Sequence, residues 1–268
     1  MAKSKRSRIR RRFLDKRFLF VAVTAAFIAG VLSGAVIYSI AFRQTQSQGQ
    51  QLLLAEGENK TLSTKMAAVR SDGTGVISEL MVELEKGSGR ILVDTRPLVG
   101  FDFQYAERTA VKVAAEITGV ALDDDGVGLK GVDVLFLISV PTEQTIEIQA
   151  VDGPSAGAAT TVLTIAAIEN RRVRSDVIIT GTVQADHTIG LIGGVYAKAK
   201  AAHDNGATLF LVPKGQYVEV YKQVGPWALT EYKPISYLQD YAQQQGWGLQ
   251  IQEVSTIEEA ANLMLEPS

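Results

Sequence analysis

The 268-residue chain has no cysteine, two histidines, two tryptophans and seven prolines. The missing cysteine excludes a disulfide scaffold, a thiolate zinc site, an iron-sulfur centre and a cysteine nucleophile, while leaving the redox compartment open. The two histidines are His187, in a predicted turn, and His203, near the end of a predicted helix, and both read as solvent-facing. Neither is marked as a member of a Ser-His-Asp triad, and no metal-ligand spacing surrounds them. No metal and no cofactor is therefore expected, and a general base must come from another residue type.

Charge is scarce on average, at −2 net, but it is segregated. Residues 1–17 carry nine Lys or Arg and one Asp, a balance of +8, and the rest of the chain holds 18 basic and 28 acidic residues. Residues 18–42 are 25 in a row without a charge, where roughly 20 suffice for a helix to cross the hydrocarbon core. The competing reading, a cleaved signal peptide, has an apolar run of only about 7 to 15 residues. The expectation is a basic cytoplasmic tail (1–17), a transmembrane helix (18–42) anchoring the chain once in the cell membrane, and everything after Arg43 on the extracytoplasmic side. Nine cations beside such a helix need anionic lipid only, so no nucleic-acid partner is expected. Ala26, Gly30 and Gly34 share a helix face, a spacing that allows a homo-oligomer but is also common in membrane helices.

Residues 43–66 read as a polar tether, Gln-rich at first, with an Asn59-Lys60-Thr61 glycosylation sequon. The segment 67–268 reads as one mixed α and β domain. Gly75 to Glu85 and Ile91 to Asp94 are strand-like around a glycine turn. Phe103, Ala106, Ala110, Val113, Ala114 and Ile117 have helical spacing, with Asp102 placed to cap. Asp133 to Val140 is a continuous apolar run, the pattern of a strand buried on both faces. Val177 to Val183 and Thr188 to Ile192 flank a polar turn, Leu209 to Val212 is a further buried strand, and Ser255 with Glu258 has the spacing of a capping box before a closing helix.

The chemistry concentrates in Val151 to Gly157, VDGPSAG, where an extended segment gives way to a helical one. A serine at that junction has its hydroxyl near the positive end of a helix, where free N–H groups can stabilise an oxyanion. Gly-Pro-Ser before a helix is equally an ordinary turn and N-cap, so a base decides the matter. Lys198 lies among Val195, Ala197, Ala199 and Ala201 after Gly193-Gly194. Buried there, its amine would titrate below the usual value of about 10.4, towards what a general base requires. On the surface it would be an ordinary lysine.

The order VDGPSAG, ITGTV (179–183), IGLIGGVYAKAKAA (189–202) and LFLVPKGQ (209–216) resembles the proteolytic domain of Lon-type serine proteases, peptidase family S16. The resemblance implies the α+β Lon proteolytic fold, of the ribosomal protein S5 domain 2-like type. It implies Ser155 as nucleophile and Lys198 as general base, with Asp152 and Thr180 beside the dyad. Gly153, Pro154 and Ala156 would supply the oxyanion and substrate backbone contacts. Two departures stand out. No Gly-Lys followed by Ser or Thr occurs anywhere, so no P-loop is present and ATP independence is expected. Thr182 stands where the family often has an acid, and residues 214–252 are longer than the usual family end and aromatic-rich, which reads as extra packing or a substrate-facing insertion.

The resulting expectation is a membrane-anchored, ATP-independent serine endopeptidase acting on unfolded or flexible polypeptides. The alternative is a catalytically inactive Lon-fold scaffold that binds peptides or partner proteins, and self-processing of the tether is a further possibility.

Overall fold

A long β-hairpin opens the body: β1 (Lys60–Val69) pairs antiparallel with β2 (Gly75–Lys86) from Lys60 opposite Leu84 to Val69 opposite Gly75. The computed structural model describes residues 49–267 apart from 56, 95–97, 140–149 and 152, with nothing of the side chains of 150 and 151. The basic tail, the apolar run 18–42, the first residues of the tether and Asp152 lie outside the described residues. Among those described, no helix is long and apolar enough to cross a membrane.

The hairpin corrects the tether boundary, because β1 starts at Lys60, inside the stretch read as tether. Its Thr, Ser and Lys side chains mask an alternating burial pattern, and backbone pairing needs no apolar side chain. The chain is held even earlier, by Gln50 N donating to Gly119 O (2.8 Å) and Ala121 N donating to Gln50 O (3.1 Å).

After β3 (Ile91–Val93) and β4 (Leu98–Val99) comes α1 (Phe101–Thr118), then β5 (Val132–Ser139) and β6 (Ala150–Val151). The first sheet has the order β1-β2-β5-β3, antiparallel except between β3 and β5. Asp133 on β5 is fully buried and ties the preceding turn to the sheet, accepting from Ser88 N, Arg90 N and Arg90 Nε, each at 2.8 Å. Helix α1 starts one residue before Asp102, behind Gly100, and has no side-chain cap, so Asp102 sits in the first turn without capping.

A 3₁₀ turn (Pro154–Ala156) leads into α2 (Gly157–Glu169), of which residues 157–168 are all buried. A helix apolar all round belongs inside, and its three threonines do not break that rule. Thr160, Thr161 and Thr164 each return the hydroxyl to the carbonyl four residues back, at 3.1, 2.7 and 2.8 Å, so none of these three hydroxyls is left unpaired.

The second half contains β7 (Val177–Ile179), β8 (Thr182–Val183), β9 (Ile189–Gly190), α3 (Val195–Asp204), β10 (Leu209–Pro213), β11 (Tyr217–Val224), β12 (Trp227–Pro234), α4 (Ile235–Gln244), β13 (Gln250–Val254) and α5 (Ile257–Met264). A parallel sheet β13-β10-β7 forms the second core with α3 and α4. The closing capping box falls one residue later than the spacing suggests. Thr256 accepts from Glu259 N (3.3 Å), while Glu259 Oε2 accepts from Ser255 N (2.7 Å). That leaves Glu258 free for another partner.

Candidate active site

Two segments distant in sequence meet at the end of β7. Thr180 N donates to Leu211 O and Gly181 N to Ser155 O, both at 3.0 Å, and Ala158 N donates back to Gly181 O at 3.0 Å. These bonds fasten the Ser155 turn to the parallel sheet. Gly157 allows the close approach: a Cβ there would stand 2.9 Å from Val183 N, inside any ordinary contact. Pro154, without an N–H, opens the turn as its exposed first residue, Gly153 lies directly before it, and Ala156 is buried behind it.

Helix α3 brings the second group. Gly194 precedes it with φ of +65°, a left-handed conformation that glycine adopts without steric cost and that turns the chain into the helix. The buried face of α3 carries Val195, Lys198, Ala199, Ala201 and Ala202. Gln216 holds this launch point: its amide donates to Ile192 O (2.9 Å) and accepts from Ile192 N (3.0 Å). Gln216 is fully buried, and nothing in the sequence marked its role beyond its place in the LFLVPKGQ segment.

Lys198 Nζ lies 2.9 Å from Ser155 Oγ and 3.3 Å from Thr180 Oγ1. Only 4 % of Lys198 is exposed, and burial lowers its titration from 10.5 to about 8. As an ammonium it donates to the serine. Once neutral, its lone pair accepts the Ser155 proton along the same short line, and Thr180 steadies it from the side. The structure thus brings together Ser155, Lys198 and Thr180, the three described residues that the resemblance groups, and Asp152 lies outside the described residues.

The histidines are elsewhere, and neither is the freely solvated side chain the sequence suggested. His187, in the β8–β9 turn, has Nδ1 2.7 Å from Glu258 Oε1 and Nε2 3.2 Å from Glu116 Oε2. The bond to Glu258 raises its titration above 6.5, against the opposing effect of burial, with help from Glu116. His203 stacks on Trp247 with ring centroids 5.2 Å apart. Among the described residues, no group of His, Asp and Glu is arranged to hold a metal ion.

The stretch 214–252 divides in two. Leu238, Ala242, Leu249 and Ile251 pack into the second core, whereas the β11–β12 hairpin leaves residues 221–230 exposed. Packing thus accounts for the C-terminal part and for the hairpin root at Gln216, Val218 and Val220, and not for 221–230.

The model of the Lon protease (S16) C-terminal proteolytic domain family matches residues 138–230. The chain is 29 % identical over 140 residues to a Lon protease of Clostridioides difficile, an alignment that covers 52 % of this chain and 17 % of that protein. It is 40 % identical over 62 residues to Lon protease 1 of Sorangium cellulosum, covering 23 % and 8 %. With a Lon protease of Frankia alni the identity is 43 % over 63 residues, covering 24 % and 7 %. The chain thus spans less than a fifth of the length of these relatives. The mixed α/β body is consistent with a Lon proteolytic domain, and the family match with these relatives supports a serine peptidase.

Proposed function

We propose that the chain is a membrane-anchored serine endopeptidase that cleaves unfolded or flexible polypeptides on the extracytoplasmic side without ATP. The observation that carries the catalytic part is the 2.9 Å contact between Ser155 Oγ and a lysine amine buried to 4 % exposure. Support for the anchor is the uncharged run 18–42 behind a basic tail, and for ATP independence the missing P-loop in these 268 residues.

Neutral Lys198 takes the Ser155 proton as Oγ attacks the scissile carbonyl. Charge then develops on the carbonyl oxygen, and the helix start behind Ser155 supplies the positive end of the α2 dipole to it. The Lys198 ammonium next protonates the departing amine, leaving Ser155 as an acyl ester. Water, deprotonated by Lys198, hydrolyses that ester and restores the dyad. Thr180 contributes by holding the amine in line, and the bond from Gly181 N to Ser155 O fixes the nucleophile's backbone.

The test is hydrolysis of an unfolded protein by the full chain, with and without ATP, alongside Ser155→Ala and Lys198→Ala. Loss of hydrolysis in both variants supports the dyad, and activity that survives Ser155→Ala overturns it. Protease protection of intact cells or vesicles, with N-terminal sequencing of the mature chain, reads the topology. A mature N-terminus beyond Phe42 would remove the anchor.

A further inference from the structure

The β11–β12 hairpin is apolar in an unusual way. An ordinary surface hairpin alternates, with one face on the core and the other in water. Here the register places Tyr221 and Tyr232 on one face, and Val224, Trp227 and Leu229 on the other. All five are exposed, Trp227 to 73 % and Tyr221 to 70 %. Only the root is packed, through Val218 and Val220. On the Trp227 face Glu231 pairs with Lys233 at 2.8 Å and with Lys222 at 3.9 Å, and Glu219 on the other face brings the charges of the whole hairpin to zero. Among the described residues, β11 and β12 pair only with each other, so both outer backbone edges are open.

The root of the hairpin adjoins the dyad. Pro213 ends β10 within 3.5 Å of where a Cβ on Gly181 would stand, and Gly181 is bonded to Ser155. Gln216, next to Tyr217, clamps the Ile192 loop that launches the Lys198 helix. The opposite end of the body is where the chain arrives. Gln50 is bonded at the C-terminal end of α1, whereas Leu98–Val99, just before α1, pairs with Ala150–Val151, just before the Ser155 turn. At 1.5 Å per residue, the 18 residues of α1 separate those ends by about 27 Å.

Resting on the peptidase reading, we infer that the β11–β12 hairpin is a substrate-capture arm that takes an extended, uncharged, aromatic- or aliphatic-rich polypeptide segment along its open edge and delivers it to Ser155. A strand added to a sheet edge sends alternate side chains to the two faces, an arrangement that uses apolar residues on both. A flat bilayer or a single face of a second copy would meet one side only. The self-neutralised charges add no selectivity for a charged segment.

The test uses the full chain carrying Ser155→Ala, so that binding is read without cleavage, and Trp247→Phe, so that Trp227 is the only tryptophan. Titration with a denatured, alkylated polypeptide is expected to shift Trp227 emission to the blue and to saturate. Adding Tyr221→Ala and Leu229→Ala is expected to weaken the Kd at least tenfold, and in the cleaving protein to raise KM for the same polypeptide by a similar factor with kcat within twofold. An unshifted emission, or an unchanged Kd and KM, overturns the capture arm. So does a blue shift produced by concentrating the protein alone, which would mark a self-association surface, or by lipid vesicles without polypeptide. Labelling of Ser155 by a small fluorophosphonate in the protein with Ser155 restored checks the peptidase reading separately, because that probe is too small to need the hairpin.

Discussion

The buried amine of Lys198 sets an energy that two independent assays can read. Its titration near 8, against 10.5 for an ordinary lysine, corresponds to roughly 3 kcal/mol against the charged form. In the first assay, the acylation rate of Ser155 is followed from pH 6 to 10 with a small ester substrate. The neutral fraction of an amine titrating near 8 is about 1 % at pH 6, about 10 % at pH 7 and about 90 % at pH 9. The rate should therefore climb about tenfold from pH 6 to 7 and gain less than about twofold from pH 9 to 10. A lysine near 10.5 would still gain several-fold over that last interval. A profile still rising steeply above pH 9 would refute the desolvated base.

The second assay is the stability of Lys198→Met. The folded state holds the lysine proton less tightly than the unfolded chain, so between pH 8 and 10.5 the unfolded state binds more protons and wild-type stability rises with pH. The variant has no such rise. Below pH 8 it escapes a penalty of roughly 3 kcal/mol and forfeits hydrogen bonds to Ser155 and Thr180 of about 1 kcal/mol or less each. The expected result is a protein without activity that is about 1–2 kcal/mol more stable at pH 7, an advantage gone by pH 10.5. Destabilisation by the variant at pH 7 would mean that the amine is not desolvated as its 4 % exposure implies.

Three further outcomes follow from groups away from the dyad. His187 titrates above its unfolded value through Glu258 and Glu116, so its contribution is complete below pH 6.5 and is lost as pH rises through the folded value. His187→Asn, chosen because φ is +67° there and asparagine tolerates that region, should flatten this part of the stability profile in thermal melts. Asp133→Asn should cost about 3 kcal/mol in urea unfolding, because the buried carboxylate accepts from Ser88 and Arg90 and an amide cannot accept at both atoms. Glu107 is fully buried with no hydrogen-bond partner for either oxygen among the described residues, and burial raises its titration to about 8. Glu107→Leu should stabilise the protein at pH 7 by roughly 2–3 kcal/mol, with a gain that disappears below pH 4.5.

The dyad was legible in the sequence only through the resemblance of four motifs in order, since each segment alone left its residue ambiguous. GPSAG places a serine at a helix start, and GGVYAKAKAA surrounds a lysine with small residues. Whether that lysine is buried depends on β1 and β2 packing over α3, and no window around residue 198 contains that information. The same limit explains β1 itself, whose polar residues pair through backbone with a partner strand that supplies the apolar face. It also explains His187, whose partners Glu116 and Glu258 each lie 71 residues away. The capping residues failed by a single position, since Ser255, Thr256, Glu258 and Glu259 offer two overlapping boxes and only the backbone angle at Thr256 chooses between them. Aromatic content in 214–252 carried no sign of which residues would be buried, because alternation in β11 and β12 is apolar on both faces.

Lys198 and Glu107 together bear on where the protein is stable and where it works. Glu107 keeps its proton in the folded state between pH 4.5 and about 8 while the unfolded chain loses it, so wild-type stability falls across that range. Lys198 acts with the opposite slope from about 8 to 10.5. The two slopes meet in a trough near pH 8, the pH at which neutral Lys198 becomes abundant. Up to about pH 8 the neutral fraction of Lys198 grows while Glu107 lowers stability, and above that pH catalytic competence and stability rise together. The double variant Glu107→Leu, Lys198→Met removes both slopes. Apart from the decline that His187 contributes above pH 6.5, its melting temperature should vary little between pH 6 and 10, and a wild-type trough near pH 8 that persists in it would place the responsible groups elsewhere in the fold.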